Sequence, residues 1–313
     1  MRKIVLVFVL IFFNLSIICA YPYWIWTPKT GRWVNPKTAV RATSQEQFEF
    51  AKGLYEEKRY PEARREFKKL IKVYPKTFEA AEAQYYLGLI DEQEGNLYEA
   101  YLAYQKVIDK YPFSERIQEI IEREFKIAEA FMSGKKRKYM GMSLPVENPA
   151  IEIFTKVIEN STYGPLAPKA QYKLGLLFKS LGRYYEAEEA FSKVISNYPN
   201  SEWVTPAKFQ IASCYAAISK GTDYDQGSTK EAKEKFEEFI IEYPDAVLSN
   251  EAEKSLSQLR EKEAKSNFNI ARFYEKQKDY AAAKIYYEDI IENYPQSIWA
   301  AKAMERLSIM EKR

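Results

Sequence analysis

Five short phrases that end in Tyr-Pro divide this chain into repeated segments. They end at Pro75, Pro112, Pro199, Pro244 and Pro295, and a looser sixth phrase, Tyr163-Gly-Pro165, lies between the second and the third. Each phrase follows one amphipathic run and precedes another. Because proline has no amide hydrogen, it ends a helix and suits the start of the next one. The chain is therefore predicted to be an array of helical units that pack on their neighbours.

The spacing of these prolines predicts tetratricopeptide repeats (TPRs). Successive prolines lie 37, 53, 34, 45 and 51 residues apart, which fits a unit of about 34 residues with insertions. Small residues such as Gly175 and Ala187 would let the two helices of a unit cross closely, while Phe191 would fill the seam between them. We expect an all-α TPR solenoid of about six helix-turn-helix repeats over residues 44–313, preceded by a short irregular aromatic arm.

Two of the predicted units are interrupted, and the last one is extended. Inserted loops are expected near 133–147 and 219–228, where the composition is polar or rich in glycine. An additional helix is expected at about 249–263, and Ile298–Lys312 is expected to cap the array. The first insert carries Lys135-Lys-Arg-Lys138, which could meet anionic lipid head groups or could only keep the loop soluble.

The first twenty residues have the order of a secretory signal. Arg2-Lys3 precedes the apolar run Ile4–Phe13, which is short for a membrane span of about 20 residues. We expect residues 1–20 to be a signal peptide cleaved after Ala20, with an uncleaved anchor as the alternative. Cys19 raises the further possibility of lipidation. Its surroundings match a lipoprotein signal poorly, because Ile18 stands where a small residue is expected.

Composition argues against catalysis and against nucleic-acid binding. The chain has no histidine and two cysteines, so it cannot build a Ser-His-Asp or Cys-His centre. A Cys/His metal site is excluded for the same reason, and we expect no cofactor. The net charge of +3 is too small for counterion-driven binding to nucleic acid. We therefore expect a protein that is not an enzyme and that binds other proteins, with membrane association through a partner or through the N-terminus.

Residues 21–43 form a tryptophan-rich arm between the signal and the repeats. Trp24 and Trp26 precede the turn sequence Pro28-Lys-Thr-Gly31, and Trp33 follows it, which predicts a short hairpin or an extended arm. The three tryptophans could form an aromatic patch for a partner. They could also fold back as a cap on the first repeat.

One aromatic side chain recurs in the first helix of every predicted unit, two residues before a core position. Two steps along a helix turn a side chain away from the core, so these rings could form a ladder along a peptide-binding groove. The alternative is that they pack between neighbouring helices. Four cations further along the same face could add polar contacts. The candidate groove residues are Phe48, Tyr85, Phe125, Tyr172, Phe209 and Phe268, with Lys52, Lys179, Arg272 and Lys276.

The last predicted unit carries the clearest resemblance to a known family. Residues 268–283 and the phrase Tyr294-Pro-Gln-Ser297 resemble the BamD family of the outer-membrane β-barrel assembly machine, as does Phe48–Pro75 with its turn Tyr60-Pro-Glu-Ala63. The resemblance spans about residues 44–310 and implies a scaffold in the bacterial cell envelope, periplasmic and at the outer membrane. It further implies C-terminal repeats that bind the barrel-forming subunit and N-terminal repeats that receive unfolded outer-membrane proteins.

Two features depart from that family, and other functions stay open. Cys19 lacks the expected lipidation sequence, and the tryptophan-rich arm has no counterpart in the family. The chain also resembles the CpoB family of periplasmic TPR coordinators, whose repeats read like Ala83–Gly88. A third possibility is a soluble module that captures peptides or glycans with the tryptophan-rich arm.

Overall fold

The computed structural model describes residues 24–27, 31–35, 39–136, 138–139, 142–143, 148–221 and 226–311. The predicted signal peptide and Cys19 lie outside the described residues. The described part of the chain contains thirteen α-helices and two small antiparallel ribbons. The helices are α1 (Ser44–Glu56), α2 (Tyr60–Val73), α3 (Phe78–Gln93), α4 (Leu97–Lys110), α5 (Ile117–Met132), α6 (Pro149–Asn160), α7 (Ala167–Ser180), α8 (Tyr184–Asn197), α9 (Val204–Gly221), α10 (Gln226–Glu242), α11 (Val247–Lys276), α12 (Tyr280–Asn293) and α13 (Ile298–Glu311).

These helices form six antiparallel pairs, α1/α2 to α11/α12, and α13 follows the last pair. This arrangement confirms the predicted all-α TPR solenoid of about six units. Among the described residues, no helix combines the length and the apolar composition that a bilayer crossing requires.

The Tyr-Pro phrases end the second helix of a unit, as the sequence predicts. Tyr74, Tyr111, Tyr198 and Tyr294 are the C-cap residues of α2, α4, α8 and α12, with φ between −122° and −134°. In each case the cap amide still donates to the carbonyl four residues earlier. The following proline lies in the turn rather than in the next helix, which begins three to five residues later. Thr77 illustrates such a start, because its hydroxyl accepts from the Ala80 amide at 3.3 Å.

The two helices of a unit approach most closely where the first one carries glycine. A Cβ added at Gly175 in α7 would lie 2.6 Å from Cε1 of Phe191, a fully buried ring on α8. Gly88 in α3 stands in the same relation to the ring of Tyr104 on α4. Glycine is therefore required at these two crossings, because a side chain would collide with the aromatic residue opposite.

Helix α11 is the main departure from the predicted architecture. The expected additional helix at 249–263 is not a separate element, because it continues into the first helix of unit six as one 30-residue helix. Leu256 and Leu259, in its first half, pack in a core with α9 and α10. Ala264 and Phe268, in its second half, pack in a separate core with α12 and α13. The buried positions step by five residues from Leu259 to Ala264, a rotation of about 140° at 100° per residue, so the two halves of α11 bury different faces.

The two predicted inserts have different outcomes. Residues 133–147 do separate α5 from α6, and they include a ribbon of β3 (Lys138–Tyr139) and β4 (Met142–Ser143). The predicted insert at 219–228 is too long, because α9 extends to Gly221 and α10 begins at Gln226. Ser219 and Thr229 face each other across this connection, with their hydroxyl oxygens 2.6 Å apart. The glycine and serine residues there occupy helix ends rather than a loop.

Candidate functional site

The six predicted groove aromatics are core residues. Their exposed fractions lie between 3 and 9%. Each ring meets an aromatic ring on the second helix of its own unit, with centroids 5.5 to 6.1 Å apart. Such spacing is that of favourable edge-on or tilted aromatic pairs. The pairs are Phe48–Phe67, Tyr85–Tyr104, Phe125–Phe154, Tyr172–Phe191, Phe209–Phe236 and Phe268–Tyr287.

The neighbouring helices also cover most of these rings on their other side. The ring of Tyr172 meets Trp203 with centroids 5.0 Å apart, and Phe268 meets Trp299 at 5.1 Å. The ammonium group of Lys169 lies 5.1 Å from the centroid of the Phe125 ring. The predicted exposed ladder therefore does not form. In the structure these six residues instead pack between neighbouring helices, which is the alternative given above.

The four predicted groove cations remain nearer the surface, and three of them have partners. Lys52 lies 3.9 Å from Glu56, and Arg272 lies 3.9 Å from Glu275, both within one helix. The ammonium group of Lys179 donates to the side-chain oxygen of Gln210 on α9 at 2.6 Å. Lys276 is exposed at the end of α11. These residues are spread over units one, four and six and do not converge on one site.

The first helices of units two and three are joined by ion pairs. Arg123 on α5 contacts Glu92 on α3 and Glu119 on its own helix, each at 2.9 Å. Arg116 contacts Glu82 on α3 at 3.0 Å. Burial alone would raise the pKa of Glu119, but hydrogen bonds from a tyrosine and from both arginines outweigh burial and lower the pKa. This part of the array therefore presents fixed, paired charges rather than apolar side chains.

Buried glutamines, which the sequence analysis missed, fasten the two helices of several units. The side-chain amides of Gln84 and Gln171 donate to backbone carbonyls on the second helix of their own unit, each at 3.0 Å. Gln47 makes the same bond in unit one at 3.2 Å. All three directly precede a groove aromatic in the sequence, so the pattern was visible there. Unit three has Glu124 at this position instead.

Two observations on the described residues concern metal binding and thiol chemistry. The described residues contain no group of three or more histidine, cysteine or acidic residues placed to bind a metal ion. Cys214 is fully buried in α9, and burial raises the pKa of its thiol to about 11. A thiol in this state is a poor nucleophile because only its thiolate form reacts.

The tryptophan-rich arm forms a ribbon whose aromatic side chains are exposed. Strands β1 (Ile25–Thr27) and β2 (Arg32–Val34) pair antiparallel, with Trp26 opposite Trp33. Their ring centroids lie 5.8 Å apart. Trp24, Trp26 and Trp33 are 59, 48 and 62% exposed. The predicted hairpin thus has an observed counterpart, and its tryptophans are not buried against the first repeat.

The last unit concentrates exposed apolar side chains. Phe273, Ile285, Ile298 and Met304 are each more than half exposed, although they lie within about thirty residues of one another in the chain. Exposed apolar side chains are typical of protein–protein contacts where they form one contiguous patch. A neighbouring cleft of about 690 Å³ opens between the first half of α11, the end of α10 and the turn that joins α12 to α13, with Arg260 and Tyr294 in its lining.

A buried carboxylate ties the three elements of this last unit together. Glu275 at the end of α11 is 8% exposed at its side chain, and it accepts a hydrogen bond from the Tyr287 hydroxyl on α12 at 2.9 Å. It also pairs with Arg306 on α13. Burial would raise the pKa of Glu275, but the hydrogen bonds from Arg306 and Tyr287 outweigh burial and lower it. The ion pair therefore holds α13 against the end of the array.

Known proteins share both the repeat and the C-terminal half of this chain. A family model for YfiO, an outer membrane lipoprotein, matches residues 150–313, and a TPR model matches residues 48–115. The outer membrane protein assembly factor BamD of Rickettsia prowazekii (strain Madrid E) is 24% identical over 158 residues, 50% of this chain and 63% of the relative. This chain thus spans less than two thirds of the length of that relative.

Solved structures with a similar arrangement are TPR proteins of low sequence identity. The C-terminal part of a TPR protein from Cytophaga hutchinsonii is 20% identical, with a TM-score of 0.38, covering 83% of this chain and 87% of that one. MamA from Desulfovibrio magneticus RS-1 is 16% identical, with a TM-score of 0.32, covering 66% of this chain and all of that one.

The family model carries the assignment. It covers α6 to α13, a little more than half of the chain, and it includes the unit in which the sequence most resembles BamD. The TPR model covers the first two units. The protein therefore belongs to the YfiO (BamD-like) family of outer membrane lipoproteins and is built from TPRs.

Proposed function

We propose that this protein is a non-catalytic TPR scaffold of the bacterial cell envelope and a BamD-like component of outer-membrane β-barrel protein assembly. The observation that carries the proposal is the match of residues 150–313 to the YfiO family. In this proposal the protein is exported and acts in the periplasm at the outer membrane. It works by holding other proteins, and no step of its action requires a catalytic group.

The proposed partner of the C-terminal repeats is the barrel-forming subunit of the assembly machine. The exposed apolar side chains of the last unit, such as Ile285 and Met304, support a protein contact there, because burying them on association is favourable. The N-terminal repeats would receive unfolded outer-membrane proteins, a role suggested by the family resemblance.

The test is affinity purification of the tagged full-length protein from detergent-solubilised envelopes, followed by mass spectrometry of the co-purifying chains. The expected result is recovery of a barrel-forming subunit with periplasmic domains. Ile285→Asp and Met304→Asp, at positions 66 and 52% exposed, should reduce this recovery without unfolding the protein. Deleting the unit is less informative because a cut before Phe268 would divide α11.

The matched control is Tyr185→Asp on α8, which places the same charge at a position that is 71% exposed in another unit. Recovery of the subunit should be unchanged in this variant. Recovery of wall-synthesis proteins alone would contradict the proposal and favour a CpoB-like coordinator. Equal loss in all three variants would show that the last unit is not the contact surface.

A further inference from the structure

The ribbon of β1 and β2 places three tryptophans toward one side. Trp26 and Trp33 are directly opposite each other in the register, so they share a face of the ribbon. Trp24 lies two residues before Trp26, and side chains two apart in an extended chain point to the same side. We call Trp24, Trp26 and Trp33 the tryptophan face. Each ring is about half exposed or more.

This ribbon is too small to bury its own aromatic side chains. Each strand has three residues, and an isolated two-stranded ribbon is at best marginally stable in water. Ile25, whose side chain points to the opposite face, is also 49% exposed. Neither side of the ribbon is thus covered at these positions. Contact with a second surface would remove the tryptophan face from water, and this burial of apolar area is favourable.

The basic residues near the ribbon in the sequence indicate which kind of surface would cover the tryptophan face. The segment from Tyr21 to Gln45 contains Lys29, Arg32, Lys37 and Arg41 and no aspartate or glutamate. The helices of the repeats mix both signs, whereas this segment carries only basic charged residues over its whole length. Basic residues next to a bilayer are attracted to anionic head groups, and tryptophan is the side chain enriched at the boundary between head groups and acyl chains.

The basic segment contacts the first repeat through Arg41. The guanidinium of Arg41 lies 4.3 Å from the centroid of the Phe50 ring, which is 40% exposed on α1. The segment has no carboxylate that could accept hydrogen bonds from the hydroxyl groups of a sugar ligand.

We propose that the tryptophan face is a membrane contact that lies in the head-group region of a bilayer containing anionic lipid. It holds the first repeat close to the lipid surface and leaves the C-terminal units free for protein partners. This inference does not depend on the proposed assembly function. Vesicle binding can be measured without any partner, and loss of one activity leaves the other measurable.

The test uses the chain beginning at Tyr21, whose described hydrophobic cores start at Phe48 and so remain complete. It is mixed with vesicles of phosphatidylethanolamine containing a minor fraction of phosphatidylglycerol, and the bound protein is measured by co-sedimentation. Replacing the tryptophan face by alanine (W24A, W26A and W33A together) should lower the partition coefficient by about tenfold or more. Added salt should weaken binding by the unaltered chain, since the charged contribution is screened.

Two further variants control for general aromatic exposure and report the depth of insertion. Phe78→Ala with Phe113→Ala removes a pair of rings that are 70 and 47% exposed elsewhere on the array, and should leave vesicle binding unchanged. In Trp203→Phe with Trp299→Phe, the emission comes from the tryptophan face. Its fluorescence should shift to the blue and be quenched by brominated lipid.

Three outcomes would overturn the proposal: no binding of the unaltered chain to vesicles, equal binding of the triple alanine variant, or displacement from vesicles by soluble glycan strands. A far-ultraviolet circular dichroism melt of each variant shows that the helical repeats remain folded. Any loss of binding can then be assigned to the ribbon.

Discussion

The buried carboxyl group of Glu124 should make the stability of this protein fall as pH rises through neutrality. Glu124 on α5 is fully buried, and its two carboxyl oxygens accept from the Gln105 amide at 2.8 and 2.9 Å. Burial raises the pKa of Glu124 from 4.5 to about 8, because a charge is costly away from water and one donor only partly offsets that cost. At neutral pH the native protein therefore holds a proton on Glu124 that the unfolded chain has released.

The sign and size of the effect follow from this difference in bound protons. Below pH 4.5 both states are protonated, and between 4.5 and 8 only the native state is. Within this window the free energy of unfolding falls by about 1.4 kcal/mol for each pH unit. From pH 4.5 to pH 7 the loss reaches about 3 kcal/mol, a large fraction of the 5–15 kcal/mol that is typical of a folded domain.

Glu124→Gln should remove this loss. Glutamine is neutral at every pH, and it supplies the amide donor that Gln84 and Gln171 use to bond the second helix of their units. The variant should be more stable than the unaltered protein by up to about 3 kcal/mol at pH 7, and the difference should vanish toward pH 4.5. Urea unfolding followed by circular dichroism at a series of pH values measures this directly.

The matched control is Glu122→Gln, an exposed position on the same helix. Its free energy of unfolding should follow that of the unaltered protein across the whole pH range. Parallel profiles for Glu124→Gln and the unaltered protein would refute the reasoning, since they would mean that Glu124 releases its proton at the same pH in the native and the unfolded chain.

Three further predictions concern other parts of the array. Gly175→Ala should cost about 1–3 kcal/mol in urea unfolding because its Cβ would meet the buried Phe191 ring, while Gly53→Ala, which meets nothing within 4 Å, should gain about 0.5–1 kcal/mol. Glu275→Gln should cost about 1–2 kcal/mol at neutral pH. Because the pKa of Glu275 is lowered on folding, its contribution to the free energy of unfolding is present above pH 4.5 and is lost as the pH falls. The free energy of unfolding of this variant should therefore change less steeply with pH in the acid range. Cys214 should resist iodoacetamide in the native state at mildly alkaline pH and react on unfolding; rapid native labelling would contradict its burial.

The helix pairs could be predicted because their signals are local. A Tyr-Pro phrase, a small residue at the crossing and an aromatic residue opposite it all lie within one unit, as Gly175 and Phe191 do. The burial of the groove aromatics could not be predicted in this way. Whether Tyr172 is exposed depends on Trp203 in the next unit. The position of a residue around its own helix does not predict which side chains of another unit cover it.

The continuity of α11 is a second limit of the sequence analysis. No proline or glycine occurs between Val247 and Lys276, so nothing in the sequence ends a helix there. The repeat period favours a separate element at 249–263, but the helix continues without a break through the expected boundary. At 219–228 the composition misleads in the opposite direction, because glycine and serine favour a loop although helix ends also accommodate them.

The unbroken α11 changes how the last unit can respond to a load. In an ordinary repeat array each unit contacts only its neighbours, and the contact is made by packed side chains. A 30-residue helix is instead a strut about 45 Å long, with one end embedded in the fifth unit and the other in the sixth. A tilt of about 5° where it is embedded would carry its far end about 4 Å sideways. A partner that bound the last unit would therefore transmit force through α11 to the fifth unit.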